Sequence, residues 1–187
     1  MIKLAILASG SGTNAENIGK YFQGHSQIAV EKILSNKKDA GVHQRAEKLG
    51  IPSYAFTRSE YQDGTVLKMI SDCDYVILAG FLWLIPLTFI EAFPNKIINI
   101  HPALLPNYGG KGMYGMNVHN AVIENGEKES GITIHLVNEQ YDEGEALFQA
   151  KVAIAPADTP EVLASNIHKL EYAHFPKVIE AYVTKGA

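Results

Sequence analysis

Met1-Ile2-Lys3-Leu4-Ala5-Ile6-Leu7-Ala8 runs straight into Ser9-Gly10-Ser11-Gly12-Thr13-Asn14, and this junction decides the fold. Residues 2–8 are almost all apolar, as in a strand covered on both faces. A turn of small residues follows, then an amphipathic helical pattern near 14–23. Further strand-like runs lie at 28–35, 52–56, 75–80 and 96–101, with helical patterns near 40–49, 63–71, 86–93 and 117–125. Strand and helix in short alternation predict an α/β protein with a doubly wound, mostly parallel sheet. The runs 131–137 and 146–154 follow one another across a loop of about eight residues, which predicts an antiparallel edge. A long helix is expected over 159–184. With no internal repeat, low-complexity tract or linker in view, residues 1–187 read as one domain.

Composition narrows the function classes. The 187-residue chain is 47% apolar and 19% charged, with 16 basic against 20 acidic residues. A chain of this length buries roughly 70% of its unfolded surface. The small Lys37-Lys38 cluster is no nucleic-acid footprint. No apolar run nears the ~20 residues of a membrane span, and the core Leu4–Ala8 falls short of an export signal's ~7–15 residues. Cys73 is the only cysteine, so no internal disulfide and no cysteine-based zinc site is expected, and the default setting is reducing and cytoplasmic. No helical His-x-x-x-His motif appears, and His168 and His174 fall on different helix faces, so no metal is expected.

Three stretches carry chemistry. Small residues at Ser9–Asn14 allow close backbone approach, and a helix start attracts anions. Gly10-x-Gly12-x-x-Ala15 formally fits the dinucleotide fingerprint, yet the second strand ends in Ser35-Asn36-Lys37-Lys38 without the required acid. Gly-Lys-Ser/Thr is absent, so the pattern fits a single phosphate, or a plain tight turn. The segment Ala79–Pro86 follows a central strand, where doubly wound sheets bind ligands. It reads as a wall for a flat aromatic ligand or as ordinary core.

In Ile97-Ile98-Asn99-Ile100-His101-Pro102, alternation points Asn99 and His101 the same way, beyond the strand end. An amide donor beside an imidazole that exchanges a proton near neutrality suits a carbonyl carbon under attack. The same two residues could equally form a satisfied structural pair. Asp142, in the loop Asn138–Gly144, could favour the protonated form of His101 and hold a relaying water, or be a solvated loop acid. His135 shares a face with Thr133 and is a supporting candidate beside the same crevice.

Asn99-Ile100-His101-Pro102-Ala103-Leu104-Leu105-Pro106 resembles the signature of the folate-dependent formyltransferases. With Gly10–Asn14, the Ala79–Ile85 segment and Asp142-Glu143-Gly144, the likeness narrows to the branch acting on glycinamide ribonucleotide (5-phosphoribosylglycinamide) and extends from residue 1 to about 180. The resemblance implies a Rossmann-like formyltransferase fold and formyl transfer from the co-substrate 10-formyltetrahydrofolate to the ribonucleotide's amine, in purine synthesis. It implies catalytic roles for Asn99, protonated His101 and Asp142, the last raising the histidine's pKa. It implies that Gly12, Thr13 and Asn14 hold the ribonucleotide phosphate, with Glu171 and His168 also touching that substrate. Leu82, Trp83, Leu84 and Ile85, with Asn138, Glu139, Gln140 and Tyr141, would line the folate pocket. The family's Arg near the third strand has no assigned counterpart in the shortened stretch 59–64, beside Arg58. The loop Tyr108–Met116, longer and with four glycines in nine residues, is expected to be a mobile flap.

These implications give a cytoplasmic enzyme, monomeric or homodimeric, with small-molecule substrates and neither nucleic-acid nor membrane partners. Several readings compete with it. A methionyl-tRNA formyltransferase is expected to add a C-terminal domain and a basic RNA-facing surface. A formyltetrahydrofolate hydrolase is expected to add an N-terminal regulatory domain. Neither addition is expected here, where the first strand begins at Ile2 and the chain ends compactly at Ala187. A formyltransferase acting on a nucleotide-linked amino sugar, and a non-catalytic folate-binding module on the same fold, remain the alternatives.

Overall fold

The computed structural model describes residues 1–185; residues 186 and 187, which the one-domain reading and the expected compact end include, lie outside the described residues. Its elements are β1 (Ile2–Leu7), α1 (Thr13–Phe22), β2 (Ile28–Ser35), α2 (Gly41–Leu49), β3 (Ser53–Ala55), α3 (Arg58–Gln62) and α4 (Thr65–Met69). They continue with β4 (Tyr75–Leu78), α5 (Leu87–Ala92), β5 (Ile97–His101), α6 (Met116–Glu124), β6 (Glu129–Leu136), β7 (Ala146–Ala153) and α7 (Pro160–Lys185). Seven strands form one sheet in the order β3-β2-β1-β4-β5-β6-β7. The first five pair in parallel, while β6 runs antiparallel to both β5 and β7. The expected doubly wound sheet with an antiparallel edge is therefore present.

Strand alternation sorts the core into two layers. Leu4, Ile6, Ile77, Ile98, Ile100, Ile132 and Ile134 face α1, α2, α6 and α7, whose Ile18, Val42, Val118, Ile167 and Ile179 close that layer. Ala5, Leu7, Leu34, Val76, Leu78 and Ile97 face the other side, under Tyr61, Val66 and Phe89 of the short α3, α4 and α5. On β5, the row beginning at Ile97 continues as Asn99 and His101. On β6, Thr133 lies opposite His101 and His135 opposite Asn99. One sheet face thus turns from apolar to polar at the carboxyl end of β5.

Two local differences from the sequence expectation have clear causes. The helix expected over 63–71 shortens to α4, because Gly64 caps its start at φ 88° and the Asp63 carboxylate accepts the Thr65 N–H at 2.9 Å. The unexpected α3 starts with a reciprocal cap: Thr57 Oγ1 accepts the Glu60 N–H, and Glu60 Oε2 accepts the Thr57 N–H.

Gly144 follows the site loop where the chain passes against β6, and a Cβ there would overlap the Leu136 carbonyl oxygen. Gly144→Ala is expected to lower the unfolding free energy by about 1–3 kcal/mol, the usual range for forced overpacking. A urea denaturation midpoint unchanged from wild type would refute this close approach.

Candidate active site

The strand order reverses between β1 and β4, so the chain leaves these neighbours in opposite directions and opens a crevice at their carboxyl ends. A cleft of about 650 Å³ occupies it, a size suited to small molecules. Ser9 stitches its base together: its N–H donates to the Gly80 carbonyl, and its Oγ accepts the Leu82 N–H, both at 3.0 Å.

On one side lies the Gly-rich turn. Gly12 has φ 77°, and a Cβ there would overlap Val42, so α2 packs against bare backbone. No side chain caps the start of α1. Arg45 braces the turn from outside through Ser11 O (2.8 Å) and an ion pair with Glu16. Deeper in the cleft, Asn14 Nδ2 donates to Glu171 Oε2 at 2.9 Å, tying α1 to α7. Burial pushes the Glu171 carboxyl pKa up, against the opposing pull of Asn14 and His168.

The Ala79–Pro86 segment divides between its two readings. Ala79, Phe81 and Ile85 are buried in the core, whereas Leu82 and Leu84 are exposed. The Trp83 ring carries the Arg58 guanidinium 4.8 Å from its centroid, and Tyr61 OH donates to Leu84 O. Arg58, left without a role by the sequence, braces this wall.

Beyond β5 lies the polar cluster. Pro102–Leu105 is held by buried Thr133, whose hydroxyl donates to Ala103 O (2.7 Å) and accepts the Leu105 N–H (3.0 Å). That anchorage fixes where His101 ends the strand. His101 Nε2 donates to the Tyr108 carbonyl at 2.8 Å, and its Nδ1 faces Asp142 Oδ2 at 3.5 Å. Asp142 Oδ2 also accepts the Gly110 N–H at 2.9 Å, while Oδ1 lies 3.6 Å from His135 Nε2. Asp142 stands at φ 58°, a conformation Asp tolerates better than most residues.

The electrostatics correct one expectation. Asp142 and the Tyr108 carbonyl do raise the His101 pKa, but burial outweighs them and the net direction is below the ordinary 6.5. His101 Nε2, which faces the Tyr108 carbonyl, carries a hydrogen. For Asp142, burial alone would raise the pKa. The neighbouring histidines and the Gly110 N–H more than offset it, holding the carboxyl below the ordinary 3.8.

The cleft brings together Gly12, Thr13, Asn14, Leu82, Trp83, Leu84, Ile85, Asn99, His101, His135, Asn138, Gln140, Tyr141, Asp142, His168 and Glu171. Glu139 is the exception among the sequence candidates. The Asn138 side chain accepts the Gln140 N–H at 3.0 Å, and this tight turn leaves Glu139 at its outer corner, exposed and off the lining. The Tyr108–Met116 loop borders the cleft as expected, but its first half is strapped down rather than free. Besides Tyr108 O and Gly110 N–H, the Tyr108 hydroxyl donates to Glu127 and accepts from Asn125.

Sequence reasoning missed His119 and Lys37, which also line the cleft. His119 is buried on α6 with Nδ1 unpartnered. Burial, then His168 and His101, press its pKa down to about 4. Within an apolar helical pattern it carries no distinguishing signal. Lys37 could have been found, because a residue just past β2 sits beside the turn after β1 in this topology. Among the described residues no group of three or more His, Cys, Asp or Glu is placed to hold a metal, and no helix is long and apolar enough to cross a membrane.

Comparison with known proteins adds a second line of evidence. A model of the family described as formyl transferase matches residues 2–179. A phosphoribosylglycinamide formyltransferase of Arabidopsis thaliana, described as chloroplastic, is 43% identical over 96% of this chain, which spans 64% of that relative's length. The chain thus covers less than two thirds of that plant protein. A phosphoribosylglycinamide formyltransferase of Haemophilus influenzae is 35% identical over 100% of this chain and 89% of its own. The crystal structure of the Anaplasma phagocytophilum phosphoribosylglycinamide formyltransferase superposes with a TM-score of 0.90 at 32% identity, covering 98% of this chain and 88% of the other.

Proposed function

The chain belongs to the formyl transferase family, and from that premise we propose that residues 1–187 form one domain transferring a formyl group from 10-formyltetrahydrofolate to the amine of 5-phosphoribosylglycinamide. The products are formylglycinamide ribonucleotide and tetrahydrofolate, a step of purine synthesis. The observation that carries this reading is the convergence of Asn99, His101 and Asp142 at the carboxyl end of β5, inside a cleft with a Gly-rich helix start at one end.

The residues present suit both substrates. Gly12, Thr13 and Asn14 offer backbone N–H groups at the start of α1 to the phosphate. Glu171, tied to Asn14, supplies acceptors for ribose hydroxyls, and His168 lies beside it. Leu82–Ile85, Asn138, Gln140 and Tyr141 make a half-apolar slot for the flat pterin, with backbone groups at its edge.

The amine's nitrogen bonds to the formyl carbon and, as the tetrahedral centre collapses, the bond to N10 of the folate breaks. His101 Nε2 is engaged by Tyr108, so a free N–H of Asn99 stabilises the oxyanion. The amine's proton passes to His101 Nδ1, directly or through one water, where Asp142 stabilises the imidazolium formed. That proton then goes to the departing nitrogen. His101 is thus neutral before attack and charged after it. A reducing, cytoplasmic compartment accords with the single buried thiol, Cys73.

The test is to mix the protein with 10-formyltetrahydrofolate and follow tetrahydrofolate release with and without 5-phosphoribosylglycinamide. Release that depends on the ribonucleotide is the expected result. Release with water alone would make the protein a hydrolase, and tight folate binding without release would make it a binding module.

A further inference from the structure

Asn99 and His135 are direct partners across the β5–β6 ladder, so their side chains leave one sheet face within reach of each other. Asn99 Nδ2 lies 3.1 Å from His135 Nε2. The other ring nitrogen, Nδ1, lies 2.8 Å from the Leu136 carbonyl oxygen. A carbonyl oxygen only accepts, so Nδ1 carries the hydrogen, and in the neutral ring Nε2 is a bare acceptor. An acceptor repels an amide oxygen and attracts an amide N–H. The Asn99 side chain is therefore held with its NH2 group towards His135.

A primary amide has two faces of nearly equal shape, one a donor and one an acceptor, and half a turn about its last bond exchanges them. Stabilising an oxyanion needs the donor face. We propose that His135 is the positioning residue for formyl transfer: its Nδ1–H tautomer, pinned by the Leu136 carbonyl, accepts one Asn99 N–H and leaves the other for the oxyanion. The inference rests on the formyl-transfer reading above and assigns no contact between His135 and substrate.

The groups around the ring sharpen the assignment. Asp142 Oδ1, from the loop after β6, lies 3.6 Å from Nε2, beyond hydrogen-bond reach. His101, on β5, faces the other oxygen of the same carboxylate. A second proton on His135 would make Nε2 a donor. The ring would then pair with Asp142, drawing that carboxylate away from His101, and Asn99 would have to turn its oxygen inwards. The neutral ring is the competent one.

Two variants separate positioning from packing. His135→Leu keeps similar bulk without an acceptor. His135→Gln places an amide oxygen near the site of Nε2 and cannot be protonated. His135→Leu should lower kcat about 10- to 100-fold, the range for a misaligned catalytic group, while KM for both substrates stays within about twofold, as for an interaction made only in the transition state. His135→Gln should recover most of the loss. Equal losses in both variants, or turnover of His135→Leu within twofold of wild type, would overturn the proposal.

Long-range 1H–15N correlation of the imidazole nitrogens in the free wild-type protein provides a readout independent of turnover. It should show His135 as the Nδ1–H tautomer, with the Nε2 resonance moving in Asn99→Ala. An Nε2–H tautomer would sink the positioning role even in an active enzyme. The Nδ1–H tautomer in a wild-type protein that transfers no formyl group would instead overturn the reaction assignment, and the purpose given to the amide with it.

Discussion

His101→Ala is expected to reduce kcat by about 10²–10⁴-fold, the span that a positioned general acid–base group contributes, with much smaller changes in KM for either substrate. The size of the effect follows from how the imidazole is held. It is 3% exposed, its Nε2–H is committed to Tyr108, and its Nδ1 faces the Asp142 carboxylate. No other described side chain shares that pair of partners. The Gly12–Asn14 turn and the Leu82–Ile85 wall do not contact the ring in any hydrogen bond, so substrate binding should survive its loss. Steady-state kinetics with each substrate varied in turn provides the check. A variant whose KM rises while kcat holds would make His101 a binding residue and remove it from the proton path.

The parts of this site that depend on local pattern were readable in the chain. Two-residue alternation put Asn99 and His101 on one face, and strand–turn–helix composition placed the Gly-rich turn at the crevice. The Ala79–Pro86 ambiguity was resolved only in the structure, where Phe81 and Ile85 turn into the core while Leu82 and Leu84 turn out. What depends on distant segments meeting was not readable. Asp142 reaches His101 because the loop after β6 folds back with a residue at φ 58°, and nothing in Asn138–Gly144 announces that. The pKa direction of His101 was misjudged for a related reason: a charge partner is visible in a motif, whereas burial is a property of the whole fold. α3 is a different case, since the Thr57-x-x-Glu60 cap was in plain view in a stretch where no helix was expected.

Asp142→Asn tests the electrostatic half of the mechanism and should lower turnover about 100-fold or more, because an imidazolium formed in a buried site loses its counter-charge. The pH profile gives the sign. In the free wild-type protein burial sets the His101 pKa below 6.5, and the proposed chemistry needs the neutral ring. kcat/KM should therefore be level above pH 6.5 and fall as the pH drops through that lowered pKa. Asp142 is the charge that raises the pKa of His101. Replacing it with Asn should move the acid limb to still lower pH. Stability changes in the same region: the Asp142 carboxyl is held below 3.8 in the fold, so its contribution is present above that value and disappears as the pH falls through the folded pKa. Asp142→Asn should lack this component of acid destabilisation. An acid limb at the same pH in both proteins would show that Asp142 does not tune His101. Activity that falls on the alkaline side of pH 6.5 would show instead that the reaction begins from the protonated ring.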